Sequence, residues 1–178
     1  MPLAVTHVLV PIIILDLFRD HAFRGRMKKK IKAIITNKFV FLAGFAGLMP
    51  DADVPLFTIL ELLGYQVQST IGHRLFFHNI WIPLAFLGFF VLLHLLKQKK
   101  FSMVFLVLAF GFSMHLILDG TISGYIMPLF PLSIVEVGLN LSRLIPINAT
   151  TVMVSLDAVL LLFWLWHEET EHKIRDYF

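Results

Sequence analysis

Cysteine is absent from the 178-residue sequence. Its absence excludes disulfide bonds, iron–sulfur clusters and zinc sites built from thiolates. Charged residues are also scarce, at 15% of the chain against about 25% in an average soluble domain. Hydrophobic residues make up 58% of the chain and the mean hydropathy is +0.82. The composition therefore favours lipid as the solvent around much of the protein surface.

The apolar residues are grouped in five stretches. These are residues 2–18, 39–60, 80–96, 101–119 and 151–166. They predict an all-α, multi-pass membrane helix bundle in a single domain covering residues 1–178, with a polar tail from 166 to 178. Pro50 and Pro55 bracket Asp51 and Asp53 inside the second stretch, so we expect that helix to be broken there.

Basic residues predict the orientation of these helices. Eight of the fifteen lie between residues 19 and 38, three lie between 97 and 100, and two lie in the tail. Only Arg74 and Arg143 fall in the remaining connections. By the positive-inside rule, we expect five passes with the basic segments on the cytoplasmic side and the N-terminus outside. The basic stretch is interpreted as a topology signal that meets anionic lipid, and not as a nucleic-acid site.

Seven histidines and aspartates lie at the expected extracytoplasmic ends of the apolar stretches. They are His7, Asp51, Asp53, His73, His78, His115 and Asp119. Such residues are costly in a bilayer and are therefore functional candidates. Their side chains are also ligands for zinc and similar cations. The predicted orientation rests on lysine and arginine alone. The placement of these seven residues at the same end of the helices is therefore independent support for a metal site there.

The spacing of the candidates is consistent with metal binding. His115 and Asp119 are four residues apart and share one helix face. Asp51 and Asp53 would repel each other unless a cation or proton intervened. Each feature also has a structural interpretation as a helix end or a solvated turn. Arg74 suits phosphate but could equally be an interfacial arginine, and we interpret His167 in the tail as solvated.

In their order along the chain, these motifs resemble the YdjM-type family of inner-membrane proteins, described as metal-dependent hydrolases and as LexA-binding. The matching blocks are Thr6–His7, Leu48–Pro55, His73–His78, His115–Gly124 and Pro128–Pro131. The family's motifs are Leu-Pro-Asp-x-Asp-His-Pro, His-Arg-Gly-x-Thr-His-Ser and His-x-x-x-Asp. This chain departs from them at Val54, Leu75 and Phe77.

The resemblance implies an active site. It implies that the seven residues ligate a divalent metal, zinc or else manganese, as two or three ions. It also implies a LexA-type regulator as a partner besides membrane lipid. The family is in turn similar to zinc-dependent phospholipase C and the S1/P1 nucleases, which are helical enzymes, and that similarity implies phosphoester hydrolysis.

Three functional hypotheses remain open at this point. The first is a membrane-bound metal-dependent hydrolase acting on a phospholipid or another membrane-associated phosphoester, with Asp51 or Asp53 as general base and Arg74 orienting the phosphate. The second is metal or proton transport, which would need polar residues across the whole membrane. The third is a non-catalytic scaffold with a structural metal.

Overall fold

The computed structural model describes residues 4–65, 77–144 and 148–173. Its α-helices are α1 (Ala4–His21), α2 (Gly25–Ile34), α3 (Asn37–Leu48), α4 (Asp53–Leu62), α5 (Trp81–Leu95), α6 (Lys99–Leu118) and α7 (Ala149–His172). The described residues contain no β-strand, and one isolated antiparallel pair joins Ile126 to Val137. The predicted all-α helix bundle is thus confirmed.

Helix α3 lies at the centre of the bundle, between α1 and α6. Its buried face consists of small residues, namely Ala43, Gly44, Ala46 and Gly47. Gly47 packs against the backbone of α1 at His7, and Gly111 of α6 packs against the backbone of α3 at Ala43. Small residues allow helix backbones to approach closely, which is how helices associate in lipid. The close approach brings α1, α3 and α6 together at the end where the candidate site lies.

The second apolar stretch is broken where the two prolines predict a break. Helix α3 ends at Leu48 and a 3₁₀ turn follows over Met49–Ala52, before α4 begins at Asp53. Pro50 lies at the start of the 3₁₀ turn, where its missing N–H does no harm. Asp51 consequently lies in the 3₁₀ turn, and Asp53 lies in the first turn of α4.

Among the described residues, three helical segments are long and apolar enough to cross a membrane, namely Asn37–Leu62, Lys99–Ile122 and Thr151–His172. Helix α5 is apolar but shorter, and α1 carries Asp16, Arg19 and Asp20 in its last turns. Many large apolar side chains face outward, among them Phe41, Leu95 and Trp166. An apolar exterior of this kind is the expected surface of a protein surrounded by lipid. Five passes and the side of the membrane that each end faces stay predictions.

The predicted solvated state of His167 is wrong. Helix α7 continues to His172, beyond the expected end of the apolar stretch at residue 166. His167 is 4% exposed and faces α1, so it is not solvated. The reason is that α1 also ends in polar residues, which supply partners for the polar end of α7. A polar segment next to a polar partner can be buried, and composition alone does not reveal the partner.

Candidate metal centre

Five of the seven predicted site residues meet in one buried cluster. His7 comes from α1, Asp51 from the 3₁₀ turn and His115 from the last turn of α6. His78 lies just before α5, and Asp119 follows α6 at the start of a short π-helical turn. Four of the five are at most 1% exposed, while the Asp51 side chain is 24% exposed. The cluster therefore draws on segments that are more than 100 positions apart in the sequence.

Asp119 contacts all three histidines of this cluster. Its Oδ1 lies 3.4 Å from Nε2 of His7, and its Oδ2 lies 3.2 Å from Nε2 of His78. Nε2 of His115 is 3.7 Å from the same Oδ2. The two oxygens of one carboxylate thus face different imidazoles, which is the arrangement needed to bridge two cations.

Asp51 faces the same imidazoles from the opposite side. Its Oδ1 lies 3.5 Å from Nε2 of His78 and 3.5 Å from Nε2 of His115. The ligand atoms of Asp51, His78 and His115 all lie within 4.8 Å of one another, and so do those of His7, His115 and Asp119. Distances of this size leave space for an ion between the donors. The cluster is therefore able to bind a metal ion.

The hydrogen bonding of His115 fixes which of its nitrogens faces the cluster. Nδ1 lies 2.7 Å from the carbonyl oxygen of Gly47. A carbonyl oxygen only accepts, so Nδ1 carries the proton and donates it. In a neutral imidazole, Nε2 then presents its lone pair to the cluster, as metal-binding histidines do when a carbonyl holds their other nitrogen.

A second contact shows that a proton or a metal ion lies between two of the rings. Nε2 of His115 lies only 3.1 Å from Nε2 of His78. Two lone pairs at that distance repel each other, so a proton or a metal ion must lie between them. His7 adds to this crowding, because its ring stacks on that of His115 with 3.9 Å between the centroids. The donor set of three imidazoles and two carboxylates fits zinc or a similar divalent cation.

In the metal-free protein, a proton on His78 meets this need. Burial lowers the pKa of His78, but its hydrogen bonds to Asp119 and Asp51 raise the pKa to about 9. His78 is therefore protonated at neutral pH, and a cation must displace that proton in order to bind. Cation affinity should rise as the pH rises from neutral toward 9, where the deprotonated form of His78 becomes dominant.

We expect an increase of about tenfold in affinity for each pH unit over this interval, because one proton is released per ion bound. Manganese titration of the purified protein, followed by electron paramagnetic resonance, measures the affinity at each pH. An affinity that did not change with pH would contradict the assignment of His78 as a ligand.

Of the remaining predicted site residues, the structure describes only Asp53. Asp53 is 2% exposed in the first turn of α4, two positions from Asp51. His73 and Arg74 lie outside the described residues. Their assignment as ligand and phosphate contact stays a prediction.

An apolar cavity of about 440 Å³ adjoins the cluster. His7, Asp51 and Asp119 lie on its wall, and the other lining residues are Ala4, Phe45, Leu48, Met49, Ala52, Val54 and Pro55. Phe45 is 63% exposed and Val54 is 46% exposed, so the cavity opens beside α3 on the outward face of the bundle. In a membrane, that face meets the acyl chains of lipids.

Two further contacts lie behind the cluster. The carbonyl of Gly47 holds His115, and Thr6 donates a short hydrogen bond to Asp157, which joins α1 to α7 next to His7. A backbone carbonyl has no signal in the sequence. Asp157 did carry a signal, because an acidic residue inside an apolar stretch requires a partner.

Comparison with known proteins identifies the family. No curated protein and no solved structure matches the chain. The family model described as "YdjM inner membrane protein" matches residues 1–174, which is nearly the whole chain. The chain therefore belongs to the YdjM inner membrane protein family.

Proposed function

We propose that this protein is a membrane-bound, metal-dependent hydrolase that acts on a phospholipid or another membrane-associated phosphoester. The observation that carries the proposal is the buried cluster around Asp119, in which His115 turns its Nε2 toward two carboxylates and a second histidine. The cluster also opens into an apolar cavity, which provides space for a lipid chain beside the reacting group.

The donors would serve two cation positions. His7 and Oδ1 of Asp119 would hold one ion, and His78, His115, Asp51 and Oδ2 of Asp119 would hold the other. His73 and Asp53 are the sequence candidates that complete the first position or add a third. When bound, divalent cations polarise a phosphoryl oxygen and lower the pKa of water toward 7.

Asp51 is the best-placed general base. Its carboxylate lies on the cavity wall and is the most exposed group of the cluster, so it can reach a water molecule that approaches from the cavity. A general base must lie within hydrogen-bonding distance of the proton that it accepts. Among the five residues of the cluster, only Asp51 is a carboxylate with this access to the cavity. Arg74 is proposed to orient the phosphate, and Asp53 to act as a ligand or as an alternative base.

The apolar lining defines the class of substrate. Phe45, Leu48 and Val54 present hydrocarbon next to the carboxylates, which disfavours a highly charged soluble phosphate ester. A lipid would place its headgroup at the polar cluster and an acyl chain against the apolar lining along α3. Zinc is the proposed cation and manganese the alternative, while contact with a LexA-type regulator remains a proposal from family resemblance.

The test is hydrolysis of phosphatidylglycerol and phosphatidylethanolamine vesicles by the purified protein reconstituted in nanodiscs. We expect release of the headgroup or phosphate, complete loss of release after chelation, and recovery on adding zinc or manganese. The reason is that the water is activated only when the cation is bound.

Three other results would contradict the proposal. Hydrolysis that persists after complete metal removal would exclude a metal-activated water. Stoichiometric metal binding without hydrolysis of any phosphoester, together with zinc or proton flux into proteoliposomes, would favour the transport alternative. Metal binding with neither hydrolysis nor flux would favour a scaffold.

A further inference from the structure

A second group of histidines and aspartates lies at the opposite end of α1 from His7. Asp16 and Asp20 of α1 face His167 and His172 of α7, and ligand atoms from all four residues lie within 4.8 Å of one another. His7 and Asp16 are nine positions apart in the helix, which corresponds to about 14 Å along the helix axis. Buried Leu9, Ile12 and Ile13 lie between the two groups. The second group is therefore separate from the cluster around Asp119.

Each carboxylate in this group contacts both a cationic side chain and an imidazole. Oδ1 of Asp20 lies 2.8 Å from Nζ of Lys32, and Oδ1 of Asp16 pairs with Arg19. Both Oδ2 atoms turn toward the imidazoles: that of Asp20 lies 2.8 Å from Nε2 of His172 and 3.5 Å from Nε2 of His167. The Oδ2 atom of Asp16 lies 3.8 Å from the same nitrogen of His167.

His167 points a buried nitrogen into this group without a hydrogen bond. Its side chain is 5% exposed, and Nε2 has no hydrogen-bond partner among the described residues. A buried imidazole nitrogen left in this way is destabilising. Its nearest charged neighbours are the two carboxylates, at distances too long for a hydrogen bond and suitable for an ion between them.

His172 is in conflict with its neighbours. Its Nε2 lies 2.6 Å from Nη2 of Arg19 and 2.8 Å from Oδ2 of Asp20. The guanidinium only donates and the carboxylate only accepts, so one ring nitrogen cannot satisfy both. A cation between His172 and Asp20 would remove this conflict, provided that Arg19 moves away.

Arg19 has a second partner that allows such a movement. Its Nη1 donates to Oδ1 of Asn37 at 2.6 Å, outside the group. Its Nη2 also approaches Oδ2 of Asp20 at 3.3 Å, where it occupies the place that a cation would take. The guanidinium can therefore release the carboxylates while keeping its bond to Asn37.

We propose that Asp16, Asp20, His167 and His172 form a second binding site for a divalent transition-metal ion, joining the ends of α1 and α7. Two imidazole nitrogens and two carboxylate oxygens make a four-donor set that suits tetrahedral zinc. Closed coordination by four protein donors is typical of structural zinc, so the ion fastens the last helix to the first. This site does not depend on the proposed hydrolysis.

The experiment measures zinc bound to the full-length protein after equilibrium dialysis, by plasma mass spectrometry. We expect the double variant His167→Gln/His172→Gln to bind one equivalent less than the wild type, since glutamine removes the ring nitrogens but leaves the ion pairs with Arg19 and Lys32. The same loss should occur in protein that also carries His115→Gln and Asp119→Asn. Glu171→Gln, on the same turn of α7 but paired with Lys28, is the matched control and should bind as the wild type does.

An unchanged zinc content in a folded double variant would overturn the proposal and leave an ion-pair network that Arg19 and Lys32 already neutralise. A second measurement covers a variant that fails to fold. Zinc should protect His172 of the wild type from diethyl pyrocarbonate, as read by mass spectrometry. Unprotected His172 at saturating zinc would equally overturn it.

Discussion

Asp119→Asn is expected to lower the zinc affinity of the cluster at His7, His78 and His115 by at least about 100-fold, and to abolish hydrolysis. Loss of a hydrogen-bond partner behind a metal ligand already costs about 10- to 100-fold, and Asp119 contacts three imidazoles directly. Asparagine keeps the size of the side chain but removes its negative charge. The measurements are zinc content, manganese affinity and phosphoester release from vesicles.

Glu136→Gln is the matched control for this change. Glu136 is also an acidic residue that follows α6, but it is exposed to solvent, so its amide should leave both measurements unchanged. A folded Asp119→Asn protein with wild-type zinc content and wild-type hydrolysis would refute the assignment. Loss of hydrolysis with full zinc content would instead place Asp119 in catalysis and outside the ligand set.

Gly47→Ala is expected to destabilise the bundle and to disrupt the metal centre together. A methyl group at Gly47 would overlap the carbonyl oxygen of His7 and crowd Pro11, so α1 and α3 would have to separate. Overpacking of this kind costs about 1–3 kcal/mol. The movement would also displace His7 and the Gly47 carbonyl that holds His115. Thermal unfolding in detergent and zinc content measure the two effects.

Gly88→Ala provides the comparison. Gly88 lies in α5, and a methyl group there would meet no atom within 4 Å. It should leave the unfolding temperature and the zinc content close to those of the wild type, because alanine also favours helix. Equal stability of Gly47→Ala and Gly88→Ala would show that α1 and α3 are not in close backbone contact.

The sequence predicts the helical bundle and the break at Pro50 well, because both follow from local rules. Apolar runs of sufficient length form helices in lipid, and proline ends a helix wherever it occurs. The meeting of His7, Asp51, His78, His115 and Asp119 also follows from simple geometry. Successive membrane helices run in opposite directions. A residue near the start of one helix and a residue near the end of the next therefore lie on the same side of the membrane, whatever their separation along the chain.

The sequence does not predict the polar contacts between α1 and α7. Asp16, Asp20 and Arg19 have the composition of a solvated helix end, and His167 and His172 have the composition of a tail. Their burial becomes clear only when the two helix ends pack side by side. Polar residues therefore lie at both ends of α1, and the end that carries His7 is not their only location. The apolar layer of Leu9, Ile12 and Ile13 still separates the two groups.

The sideways opening of the cavity at Phe45 and Val54 has a kinetic consequence. A substrate that enters from the bilayer reaches the carboxylates by diffusion in two dimensions and never dissolves in water. Its effective concentration is then its mole fraction among the surrounding lipids. The rate of the proposed hydrolysis would follow the composition of the membrane, and dilution with an inert lipid would lower it even when the total amount of substrate stayed constant.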